Sequence, residues 1–143
     1  MTKETEKLLK ECSAGAKMGE RALGIALPAI KNREMQSTVE RAIESHALIG
    51  DEIKRMLFSA RRHDKEPNAI IQMMSDAKMK AKLALNSSPG AVASLITDGC
   101  DMGAKALCKA LNKSPSADPY AIRLARSLIA AEDDLRQRMR PYL

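Results

Sequence analysis

The chain has 143 residues, 45% hydrophobic and 29% charged, with a net charge of +6 and only Phe58, Tyr120 and Tyr142 as aromatics. That balance fits one folded domain with an apolar core and excludes a disordered chain. No run approaches the roughly 20 apolar residues of a membrane span, and three cysteines are too few for a disulfide framework.

The opening stretch "MTKETEKLLKE" is charged and lacks the apolar centre of a secretory signal, so a reducing cytoplasm is the expected compartment. The first helix is predicted from Glu4 to Leu27, ending at Pro28. Its small or apolar residues recur at Leu9, Cys12, Ala16, Gly19, Leu23 and Ala26, in the three-four steps of a buried seam. The second is predicted from Arg33 to Arg62, with a seam at Met35, Val39, Ala42, His46, Ile49, Ile53, Met56 and Ala60. His46 is its one polar interruption. "HDKEPN" then breaks the pattern, and Pro67 and Asn68 open a shorter helix ending near Leu85. Its Ile70, Ile71, Met73, Met74 and Met79 are expected to pack down on the bundle. "NSSPG" is the next breaker, with Ser88 as N-cap and Pro89 at the first helical position of a helix reaching Leu111. After "NKSPSADP", Asp118 caps a last helix running to about Arg140, whose seam of Ala125, Leu128, Leu135 and Met139 is interrupted by Glu132. No strand pattern occurs.

Two phrases repeat: "CSAGAK" at Cys12 to Lys17 and "CDMGAK" at Cys100 to Lys105. In the same register Leu8 matches Ile96, Gly15 matches Gly103 and Ala22 matches Ala110. The expected fold is therefore all-α and a single domain, residues 1–143. It is a four-helix bundle of two repeated helix hairpins, 4–62 and 89–143, joined by a crossover, 63–88, that carries the short helix. Gly15, Gly19, Gly99 and Gly103 each cost ~1 kcal/mol of helix propensity relative to alanine. They are expected where the first and third long helices cross.

The segments "LLKECSAGAKMGE", "ESHALIGDEI", "DGCDMGAKALCKALN" and "LIAAEDDLRQRMRPYL" resemble a bacterial family of ferritin-like four-helix proteins with no assigned function. The resemblance covers nearly the whole chain and implies a ferritin-like fold. Ferritin-like di-iron proteins carry a Glu on each of two helices and Glu-x-x-His on each of the others. Here Ile43 stands three before His46, Ile129 stands three before Glu132, Glu20 flanks the first seam, and Cys108 occupies its counterpart's place. The four-carboxylate cage is absent, so oxygen-activating di-iron chemistry is not expected.

If the second and fourth long helices are neighbours, His46 and Glu132 meet. A buried imidazole or carboxylate requires a partner, so the two are expected to form a structural pair that fixes helix register. The alternative is a degenerate metal site for iron, manganese or zinc, completed by Glu20, Cys12 or Cys100. Buried free cysteine ordinarily acts as a small hydrophobe, and no cofactor is expected. Cys108 falls off the seam and is expected at the surface or at a second interface. The basic stretches "KMKAK", "RQRMR" and "ARRHDK" read as solvated faces, with polyanion binding as the alternative. Nucleic acid is not an expected partner, because no aromatics interleave with the lysines. No phosphate loop, nucleophile elbow or zinc spacing appears. The functional expectation is a non-enzymatic bundle acting through protein contacts, with a homodimer or another protein as partner.

Overall fold

Each helix begins at a polar side chain that closes its open N-terminal amides. In the computed structural model, which describes residues 1–143, Thr2 accepts from the Thr5 amide at 3.1 Å and Asn32 from Met35 at 3.0 Å. Asn68 accepts from Ile70 and Ile71, Ser88 from Ala91, and Asp118 from Tyr120. Such caps contribute about 1 kcal/mol each. They start α1 (Lys3–Ala26), α2 (Arg33–Ser59), α3 (Ala69–Leu85), α4 (Pro89–Asn112) and α5 (Pro119–Met139). Short 3-10 turns, Leu27–Ala29 and Arg140–Tyr142, follow α1 and α5. None of the helices is long and apolar enough to cross a membrane.

The second helix stops at Ser59, three residues before its predicted end. Arg61 adopts a left-handed backbone with φ of 55°. The Arg62 amide donates to the Leu57 carbonyl at 2.8 Å and the Arg61 amide to Phe58 at 2.9 Å. This pair of bonds closes a helix that usually ends at glycine. An arginine in that position hides the stop from a sequence reading.

α1 and α2 form one antiparallel pair, and α4 and α5 form the other. α1 lies against α4, and α2 against α5. The loop after α4 returns to the start of α1, where the Ser116 amide donates to Glu4 and the Asp118 amide to Thr5, both at 2.8 Å. α4 therefore ends where α1 begins.

The segment between α2 and α4 climbs the outside of α1. Ion pairs fasten it at successive turns: Arg62 to Glu6 at 3.0 Å, Lys65 to Glu11 at 2.6 Å, Lys17 to Asp64 at 2.6 Å, and Arg21 to Asp76 at 2.5 Å. Glu66 also pairs with Lys17. Single exposed pairs contribute little; a series along one helix fixes a path.

That path overturns the expected packing of α3. Only Met79 and Leu83 join the core, while Asp76 and Gln72 turn towards Arg21. The outer face of α1 is charged at this height, so α3 meets it with its polar edge. Ile70, Ile71, Met73 and Met74 consequently stand 71%, 60%, 69% and 68% exposed.

The apolar interior is split in two. One cluster gathers Leu8, Leu9, Cys12, Ile53, Leu57 and Leu128; the other gathers Leu23, Met35, Val39, Ile96, Cys100 and Met139. The break falls at the same height on all four long helices.

Candidate functional site

At that break the four helices contribute Gly19, His46, Gly103 and Glu132. Each lies between residues of the two apolar clusters on its own helix. Neither interruption points to solvent: His46 is fully buried and Glu132 is 6% exposed. His46 Nε2 lies within hydrogen-bond reach of Glu132 Oε1, and Nδ1 lies 2.7 Å from the Ala42 carbonyl oxygen one turn back on α2.

Those two contacts determine the protonation of the pair. A carbonyl oxygen can only accept, so Nδ1–H must donate to Ala42. A carboxylate facing Nε2 is also an acceptor, so a proton must lie between Nε2 and Oε1. With that proton on the ring, the pair is an imidazolium against a carboxylate, each hydrogen-bonded inside an apolar bundle. Burial alone would lower the His46 pKa. The hydrogen bond and charge of Glu132, the Ala42 carbonyl and the charge of Glu20 outweigh burial and raise it.

Two glycines make room for the pair. A Cβ on Gly19 would come within 2.6 Å of His46 Cδ2 and 2.8 Å of Nε2. A Cβ on Gly103 would meet the Glu132 carboxyl carbon at 3.3 Å. Gly15 faces Leu107 of α4 at an ordinary 3.5 Å, and Gly99 faces open space. Of the four glycines expected at the α1–α4 crossing, only Gly15 is there. Gly19 and Gly103 instead face His46 of α2 and Glu132 of α5, neighbours that helical periodicity does not reveal. The available signal was position, because both fall at the height of the two polar interruptions.

The remaining candidates divide around this layer. Cys100 lies one turn from Gly103 in the cluster on that side; burial, then the neighbouring Glu132 charge, push its thiol pKa well up. Cys12 belongs to the opposite cluster, and burial together with Glu11 pushes its thiol up to about 12. Both therefore remain thiols near neutral pH, whereas nucleophiles and metal ligands are thiolates. Cys12 and Cys100 do not form a pair across the bundle, and Cys108 is exposed. Glu20 is half-buried at the rim of an open groove of about 640 Å³, which Lys17, Arg21, Gln72 and Met73 also line. No three His, Cys, Asp or Glu side chains converge in a way that would hold a metal ion.

The basic stretches also separate. Arg136 bonds Asp101 of α4 at 2.9 Å and Arg138 bonds Asp134 at 2.8 Å, which pairs two of the three arginines of "RQRMR" and leaves Arg140 without an ion pair. Lys78, Lys80 and Lys82 of "KMKAK" form no ion pair. No family model, curated protein or solved structure matches the chain.

Two predictions follow from the layer. Gly19→Ala should destabilise the fold by about 1–3 kcal/mol in urea unfolding, because a ring held at both nitrogens cannot move aside. Gly24→Ala, where a Cβ meets nothing within 4 Å, should instead stabilise by up to ~1 kcal/mol. Equal effects at both sites would remove the steric role given to Gly19. The second prediction concerns pH. The folded pKa of His46 lies above the ordinary 6.5, so its stabilisation is complete below about 6.5 and is lost as pH rises through the folded value. The stability difference between wild type and His46→Gln should shrink across that alkaline window. A difference that widened with pH would reverse the assignment.

Proposed function

We propose that the chain is a ferritin-like bundle built from a duplicated hairpin, which has given up metal chemistry and works as a non-enzymatic contact protein in the cytoplasm. The ferritin-like and duplicated character is supported by the family resemblance of the four quoted segments and by the shared Cys12/Cys100 and Gly15/Gly103 register. Two antiparallel hairpins joined by a long outside segment agree with it.

The contact role is carried by one observation: α3 presents Ile70, Ile71, Met73 and Met74 to solvent while His46, Glu132, Cys12 and Cys100 are buried inside. A folded chain keeps its large apolar groups exposed together where they serve an interaction. Iron, manganese or zinc at His46 is the less favoured reading. Nε2 has its lone-pair direction occupied by the proton shared with Glu132, and burial raises the pKa of both buried thiols. Glu20 alone does not complete a ligand set.

A partner-independent test is available. A solvatochromic dye such as anilinonaphthalene sulfonate should brighten on the native protein, and Met73→Glu/Met74→Glu should abolish the response without lowering the melting temperature. A native protein that leaves the dye dark, or a variant that responds as wild type does, would defeat this reading.

A further inference from the structure

The outward face of α3 combines two kinds of side chain. Starting at Ile70, residues Met74, Ala77, Ala81 and Leu85 follow in helical steps along one line, with Met73 and Ile71 on its two sides. Ile70 and Met74 are exposed over most of their surface, and Leu85 reaches 89%. At ~100° per residue, Lys78 falls between Leu85 and Ile71 and Lys82 just beyond Ile71, while Lys80 lies just beyond Met73 on the other side. None of the three is ion-paired, and the helix's only acid, Asp76, is turned inward onto Arg21. The stripe therefore runs the length of a 17-residue helix, about 25 Å, and carries positive charge on both margins, with Asp76 one turn from Lys80 and no acid of the helix beside Lys78 or Lys82.

We propose that this face lies in the plane of an anionic lipid surface, with the stripe against acyl chains and the lysines reaching the headgroups. The proposal rests on the contact role given to α3 above. Charge excludes a second copy as the preferred occupant, because pairing two such faces opposes lysine to lysine on molecules that each carry +6. An acidic protein would satisfy the charge, but the face lacks what protein hot spots use. It has no Trp, Tyr or Arg, and its charged residues are all lysine, which protein interfaces avoid. Lysines bordering an apolar stripe suit lipid, where the long stems lie along the hydrocarbon boundary and the ammonium groups stay wet. The shape agrees. α3 sits outside the four long helices, resting on α1 and touching α4, so the stripe is a ridge that a flat surface can accept without a matching groove.

The experiment is co-sedimentation of the full chain with phosphatidylcholine vesicles, pure or containing ~30% phosphatidylserine. Wild type should pellet with the anionic vesicles and stay in solution with the neutral ones. The bound fraction should fall at least about fivefold at ~0.5 M NaCl. Ile70→Glu/Met74→Glu and Lys78→Glu/Lys80→Glu/Lys82→Glu should each lower it at least about tenfold while retaining the helical circular-dichroism signal. The lipid and salt dependence of the unaltered chain decides the matter even where a variant fails to fold. Wild type that ignores anionic vesicles, or that pellets equally on neutral ones, overturns the proposal. Retention on immobilised poly-glutamate without vesicle binding transfers the face to an acidic polypeptide and also overturns it. In each of these cases a positive dye response leaves the contact role of α3 standing, whereas a dark dye removes both.

Discussion

Burying the His46 imidazole against the Glu132 carboxylate imposes conditions on all four long helices at once. The ring needs an acceptor for Nδ1–H, and Ala42 supplies one from the same helix. The carboxylate needs the proton on Nε2, so α2 and α5 must keep a single register. Both side chains need volume, so α1 and α4 carry glycine where they face the pair. Removing one partner of such a buried pair typically costs 3–5 kcal/mol, because the survivor is left charged and unsatisfied. The layer thus fixes alignment, and the two apolar clusters on either side supply the bulk of the burial.

The crossover obeys a different constraint. It must return from the far end of α2 to the start of α4 over a charged face of α1. Paired charges at Glu6, Glu11, Lys17 and Arg21 provide the track. Because that track is polar, α3 turns Gln72 and Asp76 towards it and Ile70, Ile71, Met73 and Met74 outward, while Met79 and Leu83 reach the core. The exposed stripe is therefore a consequence of the way α3 is fastened, and its lysine margins give that exposure a chemical direction.

Much of this was legible in the residues. Caps at Ser88 and Asp118, prolines at 89 and 119, and three-four seams locate the long helices to within a few residues. The seams also single out His46 and Glu132, because each is a polar residue at a position whose neighbours in the period are apolar. Other features were not legible for identifiable reasons. The stop after Ser59 depends on a left-handed arginine rather than glycine. The orientation of α3 depends on long-range ion pairs between residues 47 to 56 positions apart, and helical periodicity does not encode these. Gly19 and Gly103 are visible as anomalies, but their purpose requires the side chains opposite them.

The protonation state of His46 is the point on which the account of the interior turns, and imidazole nitrogen NMR reads it directly. At pH 6.5, the ordinary histidine pKa, long-range proton–nitrogen correlation should show His46 predominantly protonated at both ring nitrogens. A bare Nε2 at that pH, with the proton residing on Glu132 or lost to solvent, would contradict it.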